Sequence, residues 1–201
     1  MSIESITRTL IIGVCAGLYS ANINAATIID QNSGLASPDK IVIDFGDNLF
    51  DVGTMIDNQF DGVTFGSSYV YNNTTETYDA LTHGYLENSN STTQPGSIFF
   101  TADVSAVNFS WRARTATIFS AWNNDVKVEE FVADTNMSLS GGRYYGFQDI
   151  VFDEIRLSIQ HPSKSFTLDN LEYVSAIPVP AALWLFGSGL LGLIGLARRQ
   201  K

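Results

Sequence analysis

The chain has 201 residues, a formal net charge of −10 and 45% hydrophobic residues. A single cysteine excludes a disulfide framework. The acidic balance argues against nucleic acid as a partner, because phosphate contacts need the opposite sign. At the N-terminus, Met1 to Thr9 holds one cation, Arg8, and one acid, Glu4; Leu10 to Tyr19 is apolar; Ile23-Asn24-Ala25 then offers a small residue at a cutting position. That order predicts a signal peptide over residues 1–25, cleaved after Ala25, with Ala26 as the near alternative. Cys15 lies inside it, so the mature chain is expected to carry neither a disulfide nor a thiol nucleophile.

Residues 26–176 make up one domain's worth of chain, enough to bury a sizeable core. Four of the cations (Arg8, Arg198, Arg199 and Lys201) but only one acid (Glu4) lie in the two ends, so this middle is more acidic than the chain as a whole. Its pattern is that of strands. Ile41 to Phe45 is an apolar run that ends at a Gly46-Asp47 turn signal, and Phe60 to Phe65 brackets Asp61-Gly62. Tyr71 to Gly96 is polar and rich in turn formers, which predicts long surface loops. Val107, Phe109 and Trp111 alternate with Asn108, Ser110 and Arg112, as in a strand with one face buried and one wet. Ala116 to Trp122 is expected to be its hairpin partner, and Val126 with Val128 opens another strand. Ile155, Leu157 and Ile159 alternate again, and Phe166 to Tyr173 closes the domain. No segment of the middle has a helical period longer than two turns. Short strands with frequent turns predict an all-β fold, an antiparallel β-sandwich of jelly-roll type.

The last 25 residues, 177–201, differ from all of this. Pro178-Val179-Pro180 leads into Ala181 to Ala197, which is uncharged, and the chain stops on Arg198-Arg199-Gln200-Lys201. As a helix the apolar run spans roughly 25 Å, slightly short of a hydrocarbon core of about 30 Å. Trp184 sits near one boundary and the cations flank the other, which predicts a single membrane-spanning helix with its C-terminus in the cytoplasm. The combination of Pro178, Val179 and Pro180, the apolar helix, and Arg198 with Arg199 resembles the PEP-CTERM sorting signal of Gram-negative bacteria, with Val179 where the family name has Glu. The resemblance covers only the tail. It implies export and transient anchoring in the inner membrane. It also implies processing near the prolines by an exosortase, in an organism that makes exopolysaccharide and builds biofilm. The expected destination is the cell envelope or the extracellular space.

Chemistry in the middle is sparse. Ile43-Asp44-Phe45 and the closing strand around Asp169 resemble features of small β-sandwich domains in the same sorting family. If first and last strands are neighbours, Asp44 and Asp169 could share a structural Ca²⁺, helped by Asp47 or Asn170; Ca²⁺ needs six to eight oxygens, so two carboxylates are only a beginning. Otherwise both carboxylates cap strand ends. The two histidines, His83 and His161, form no metalloprotease or nucleophile-elbow motif, and Glu129-Glu130 and Asp153-Glu154 read as solvated edges. No catalytic residue is assigned, and a non-enzymatic matrix or envelope protein is expected. The aromatic side chains Trp111, Trp122, Tyr69, Tyr71, Tyr144 and Tyr145 admit a carbohydrate-binding module as an alternative. Trp111 fits an inward position, whereas Tyr71 and Tyr145 are the candidates for exposed stacking faces. A secreted polysaccharide-acting hydrolase is the remaining alternative.

Overall fold

Among the described residues ten antiparallel strands build the domain, and two of them are long enough to belong to both of its layers. The structure, a computed structural model, describes residues 26–30, 34–46, 48–73, 84–135 and 143–177. The expected signal peptide and the segment holding Pro178, Val179, Pro180, Arg198, Arg199 and the apolar run lie outside these residues. Among the described residues there is no helix, and hence none long and apolar enough to cross a membrane. The strands are β1 (Ala26–Asp30), β2 (Ile41–Ile43), β3 (Val63–Phe65), β4 (Tyr69–Asn72), β5 (Tyr85–Asn88), β6 (Ile98–Ala113), β7 (Thr117–Asn123), β8 (Val126–Ala133), β9 (Tyr144–Ile159) and β10 (Phe166–Ser175).

All ten are joined in one hydrogen-bonded network. Its centre is the β6–β9 pair. The first part of β6 pairs with β3 and with the last part of β9, which in turn pairs with β7; β7 pairs with β8. The second part of β6 pairs with the first part of β9 and with β10, whose other edge carries β2 and β5. Register shifts on β6 around Val104, and a left-handed backbone at Asp149 (φ 63°) on β9, mark where both strands pass from one layer to the other. Bulges are the usual device for bending a strand between packed sheets. We call the halves the β10 layer and the β7 layer.

The core between them is aromatic. Phe119 of β7 meets Tyr145 of β9 at 5.1 Å and Phe131 of β8 at 4.9 Å, both stacked. Trp111 stacks on Phe166 at 4.6 Å, and Phe166 meets Tyr69 edge-on at 5.3 Å. The buried indole N–H of Trp111 donates to Thr117 Oγ1 at 3.1 Å, satisfying the polar end of the ring.

The alternation read from the sequence at Val107, Phe109 and Trp111 is present, and all three are buried. Asn108 and Ser110 alternate with them on the outer face, yet they too are fully buried rather than wet. Two other expectations are corrected. Residues 117–123 do not pair with β6 but with β8 and β9, because the chain crosses to the other layer between them. Tyr85 to Asn88, expected as loop, is a strand between β4 and β10. The true hairpin is β7–β8, closed by Asn124 (φ 49°) and Asp125 (φ 62°). A two-residue hairpin loop of this kind wants left-handed backbone at both positions, which Asn and Asp tolerate best after glycine. The edge strand β8 is bent by a register shift against β7 and carries Lys127, Glu129 and Glu130, features that discourage edge-to-edge association.

Gly146 of β9 faces Asn108 of β6, and a Cβ there would strike the Val107 carbonyl and its backbone. Gly146→Ala must force the two central strands apart. A loss of about 1–3 kcal/mol, the usual scale for overpacking, is expected in urea unfolding.

Candidate functional site

The outer face of the β7 layer carries one row of side chains in register across five strands. Thr64 of β3 pairs with Phe99 of β6, Phe99 with Glu154 of β9, Glu154 with Trp122 of β7, and Trp122 with Lys127 of β8. Directly paired residues share a face, so Phe99 and Trp122 flank Glu154 at two inter-strand steps, about 10 Å apart. Phe99 is 43% exposed and Trp122 is half-buried. A hollow of about 480 Å³ opens at the Phe99 end, lined in part by Met55, Thr64, Gly66 and Ser67.

Trp122 is held in place. Its indole N–H donates to Ser120 Oγ at 3.0 Å, and that hydroxyl donates to the Arg156 carbonyl at 3.1 Å. The Arg156 guanidinium lies 3.9 Å from the ring centroid, a cation–π contact that fixes one side of the indole. Arg156 is fixed in turn by Glu154, through Nε to Oε1 at 2.7 Å and Nη2 to Oε2 at 2.6 Å, and by Asp125 at 2.9 Å. Burial pushes the Glu154 carboxyl up, but hydrogen bonds from Arg156 and Ser97 and the charge of Arg156 outweigh it, leaving it below its ordinary value. Glu154 is therefore a buried anchor, not the solvated edge expected from Asp153-Glu154. Asp153 accepts the Asn124 backbone N–H at 3.1 Å, and Asp103 accepts from the Asn123 side chain at 3.4 Å, which steadies the hairpin beside the indole.

The residues singled out from the sequence fall elsewhere. Tyr71 and Tyr145 are not stacking faces: they are 0% and 1% exposed. Both occupy inward strand positions where the ring fills the core and the hydroxyl reaches a backbone carbonyl, Tyr71 to Gly46 at 2.6 Å and Tyr145 to Asp134 at 3.2 Å. Tyr69 is equally buried and donates to Gly96 at 2.8 Å. Asp44 and Asp169 do come to neighbouring strands, since β2 pairs with β10. They gather with Glu172 around Tyr144, whose hydroxyl is pushed up first by burial and then by the charges of Glu172, Asp169 and Asp44. Each carboxylate accepts a nearby amide: Asp44 from Gly46 at 3.0 Å, Asp169 from Asn170 at 2.7 Å. Glu172 is paired with Lys40 at 2.9 Å. Among the described residues no group of three or more His, Cys, Asp or Glu side chains is arranged to hold a metal ion. Trp122 is among the six aromatics singled out from the sequence, but Tyr71 and Tyr145 are preferred to it there, and Phe99 is not singled out. Trp122 sits in an apolar stretch that reads as core, and Phe99 lies inside Ile98-Phe99-Phe100, which has no alternation.

The fold and the exposed row define an all-β, antiparallel sandwich domain with an aromatic surface platform. The chain also carries a PEP-CTERM protein-sorting motif, matched over residues 176–200. Such a motif implies export, transient membrane anchoring and processing by an exosortase. No curated protein sequence matches the chain. Among solved structures, a mutant family 29 carbohydrate-binding module, studied for its ligand recognition, aligns with 70% of this chain and 99% of its own at 12% identity. Its TM-score of 0.36 is too low for that likeness to bear on the ligand.

The Glu154–Arg156 pair makes a pH prediction. A carboxylate held low contributes stability in full above its ordinary value of 4.5, and that contribution is lost as pH falls through the lower folded value. Glu154→Gln should be less stable than wild type near neutral pH and approach it in acid. Because the Arg156 side chain is 37% exposed, solvent screening should hold the neutral-pH difference to about 1 kcal/mol. Urea midpoints measured across the acid range read both.

Proposed function

We propose that the chain is an exported, non-enzymatic glycan-binding protein of the cell envelope or extracellular matrix. Its tail delivers it through exosortase processing, and its β domain holds exopolysaccharide, the material of a biofilm, on the Phe99–Trp122 platform. The observation that carries this reading is the in-register row itself. It sets two outward rings, one exposed and one half-buried, about 10 Å apart on one face of the sheet, with hydroxyl, carboxylate and cationic groups between and beside them. Sugar rings offer apolar C–H faces to aromatics and hydroxyls to polar groups, and the spacing suits successive stacking along an extended glycan. A rigid indole loses little freedom on binding, because Ser120 and Arg156 already hold it. The row also has an open hollow at one end, which leaves room for a chain to continue.

Electrophoresis of the purified protein through gels cast with neutral polysaccharides tests the platform. The double variant Phe99→Ala, Trp122→Ala should lose all retardation, and Tyr71→Phe, changed only in the core, should keep it. Retardation of the double variant equal to wild type would sink the reading.

Delivery has its own test. The intact mass of the exported protein should lack residues 1–25 and the segment beyond the Pro178-Val179-Pro180 region. Replacing Pro178 and Pro180 by alanine should leave the tail attached. A mature protein of full C-terminal length in an exosortase-bearing host would contradict this.

A further inference from the structure

We infer that the platform selects polysaccharides bearing primary amines and disfavours uronate-rich ones; this rests on the platform being the glycan site. The surroundings of Trp122 are strongly one-sided. Asp103, Asp125, Glu130, Asp153 and Glu154 line or flank the row, against Arg156 and Lys127. Both cations are already engaged: Arg156 by Glu154 and Asp125, and Lys127 by Glu130 at 3.0 Å. Each cation of this cluster is already paired with a carboxylate, so a uronate would have to compete for it. The side chain of Asp125, by contrast, is 92% exposed, so its carboxylate retains free acceptor capacity beyond the bond to Arg156. Asp153 faces a backbone amide rather than a cation in the contacts it makes with Asn124.

The ring points the same way. An indole attracts positive charge to its faces, as the Arg156 guanidinium 3.9 Å from the ring centroid shows here. An ammonium-bearing sugar stacked on the remaining surface would meet the π face and the Asp125 and Asp153 carboxylates together. A sugar acid in the same place would meet like charge and could reach a cation only by displacing the carboxylate already paired with it, the repulsive half of a specificity device. At ionic strength of about 0.15 M charges act over about 8 Å, so the carboxylates beside Trp122 matter more than the net charge of the chain.

The test compares binding of the purified protein to three soluble polymers by affinity electrophoresis and calorimetry. They are a glucosamine polymer at mildly acidic pH, its N-acetylated counterpart, and a polyuronate. The glucosamine polymer should bind about tenfold more tightly than the acetylated one, lose that advantage in high salt, and leave the polyuronate unbound. Asp125→Asn with Asp153→Asn should bring the two amino-sugar polymers to equal affinity, whereas Trp122→Ala should weaken both. Equal affinity of wild type for the two, unaffected by the double asparagine variant, would overturn the amine preference and leave the platform standing. Tighter binding of the polyuronate would likewise overturn the preference. Binding of no polymer by wild type would remove the platform reading and the preference with it.

Discussion

The pairing of β6 with β9 is the constraint on which the rest of the domain depends. Each is a single strand of 16 residues, and each passes through both layers. Their shared bend decides which residues face inward in each half, since a one-residue slip in pairing would turn every side chain to the other face. Ile98 and Ile155 point into the core on one side of the bend, and Phe109 and Tyr145 do so on the other. Every other strand attaches to this pair directly or through a partner that does, except β4, which reaches it through β5 and then β10. Gly146 matters for the same reason: it lets the two backbones come close where the β10 layer begins.

The division of aromatic residues follows from that bend. Rings on inward positions form a continuous packed series from Phe45 through Phe65, Tyr69, Phe166 and Trp111 to Phe119. Rings on outward positions of the β7 layer, Phe99 and Trp122, stay at the surface because the first part of β6 and the last part of β9 present that face to solvent. Core and platform are thus two sides of one sheet. The polar scaffold under the indole is built mainly from the same strands, through Ser120, Glu154 and Arg156, with Asp125 added from the β7–β8 turn.

Much of this was legible from the chain, for identifiable reasons. The tail announces itself through three independent signals, prolines, apolar run and cations, none of which depends on tertiary contacts. Strands with one face in the core, such as the segment around Phe109, show period two and were readable. Strand segments without that alternation were not. Ile98-Phe99-Phe100 is apolar at every position because both faces carry rings, one inside and one on the platform. Tyr85 to Asn88 looks like loop because only its first two residues are buried. Tyr71 and Tyr145 misled because a tyrosine beside turn residues suggests exposure, whereas its hydroxyl can be satisfied inside by a single carbonyl. The acid pairs misled in the opposite sense. Glu154 looks solvated until Arg156, two residues on along the same face, is seen to clasp it.

The place where the chain leaves the domain has its own meaning. The backbone N–H of Ala176, the residue after β10, donates to the Asp103 carbonyl at 2.8 Å, and the side chain of the same Asp103 meets Asn123 beside Trp122. The exit and one border of the platform are therefore neighbours. A chain that continues past Ala176 departs beside the hairpin that steadies the indole, so the address at the tail and the outer face of the β7 layer meet at one corner of the domain.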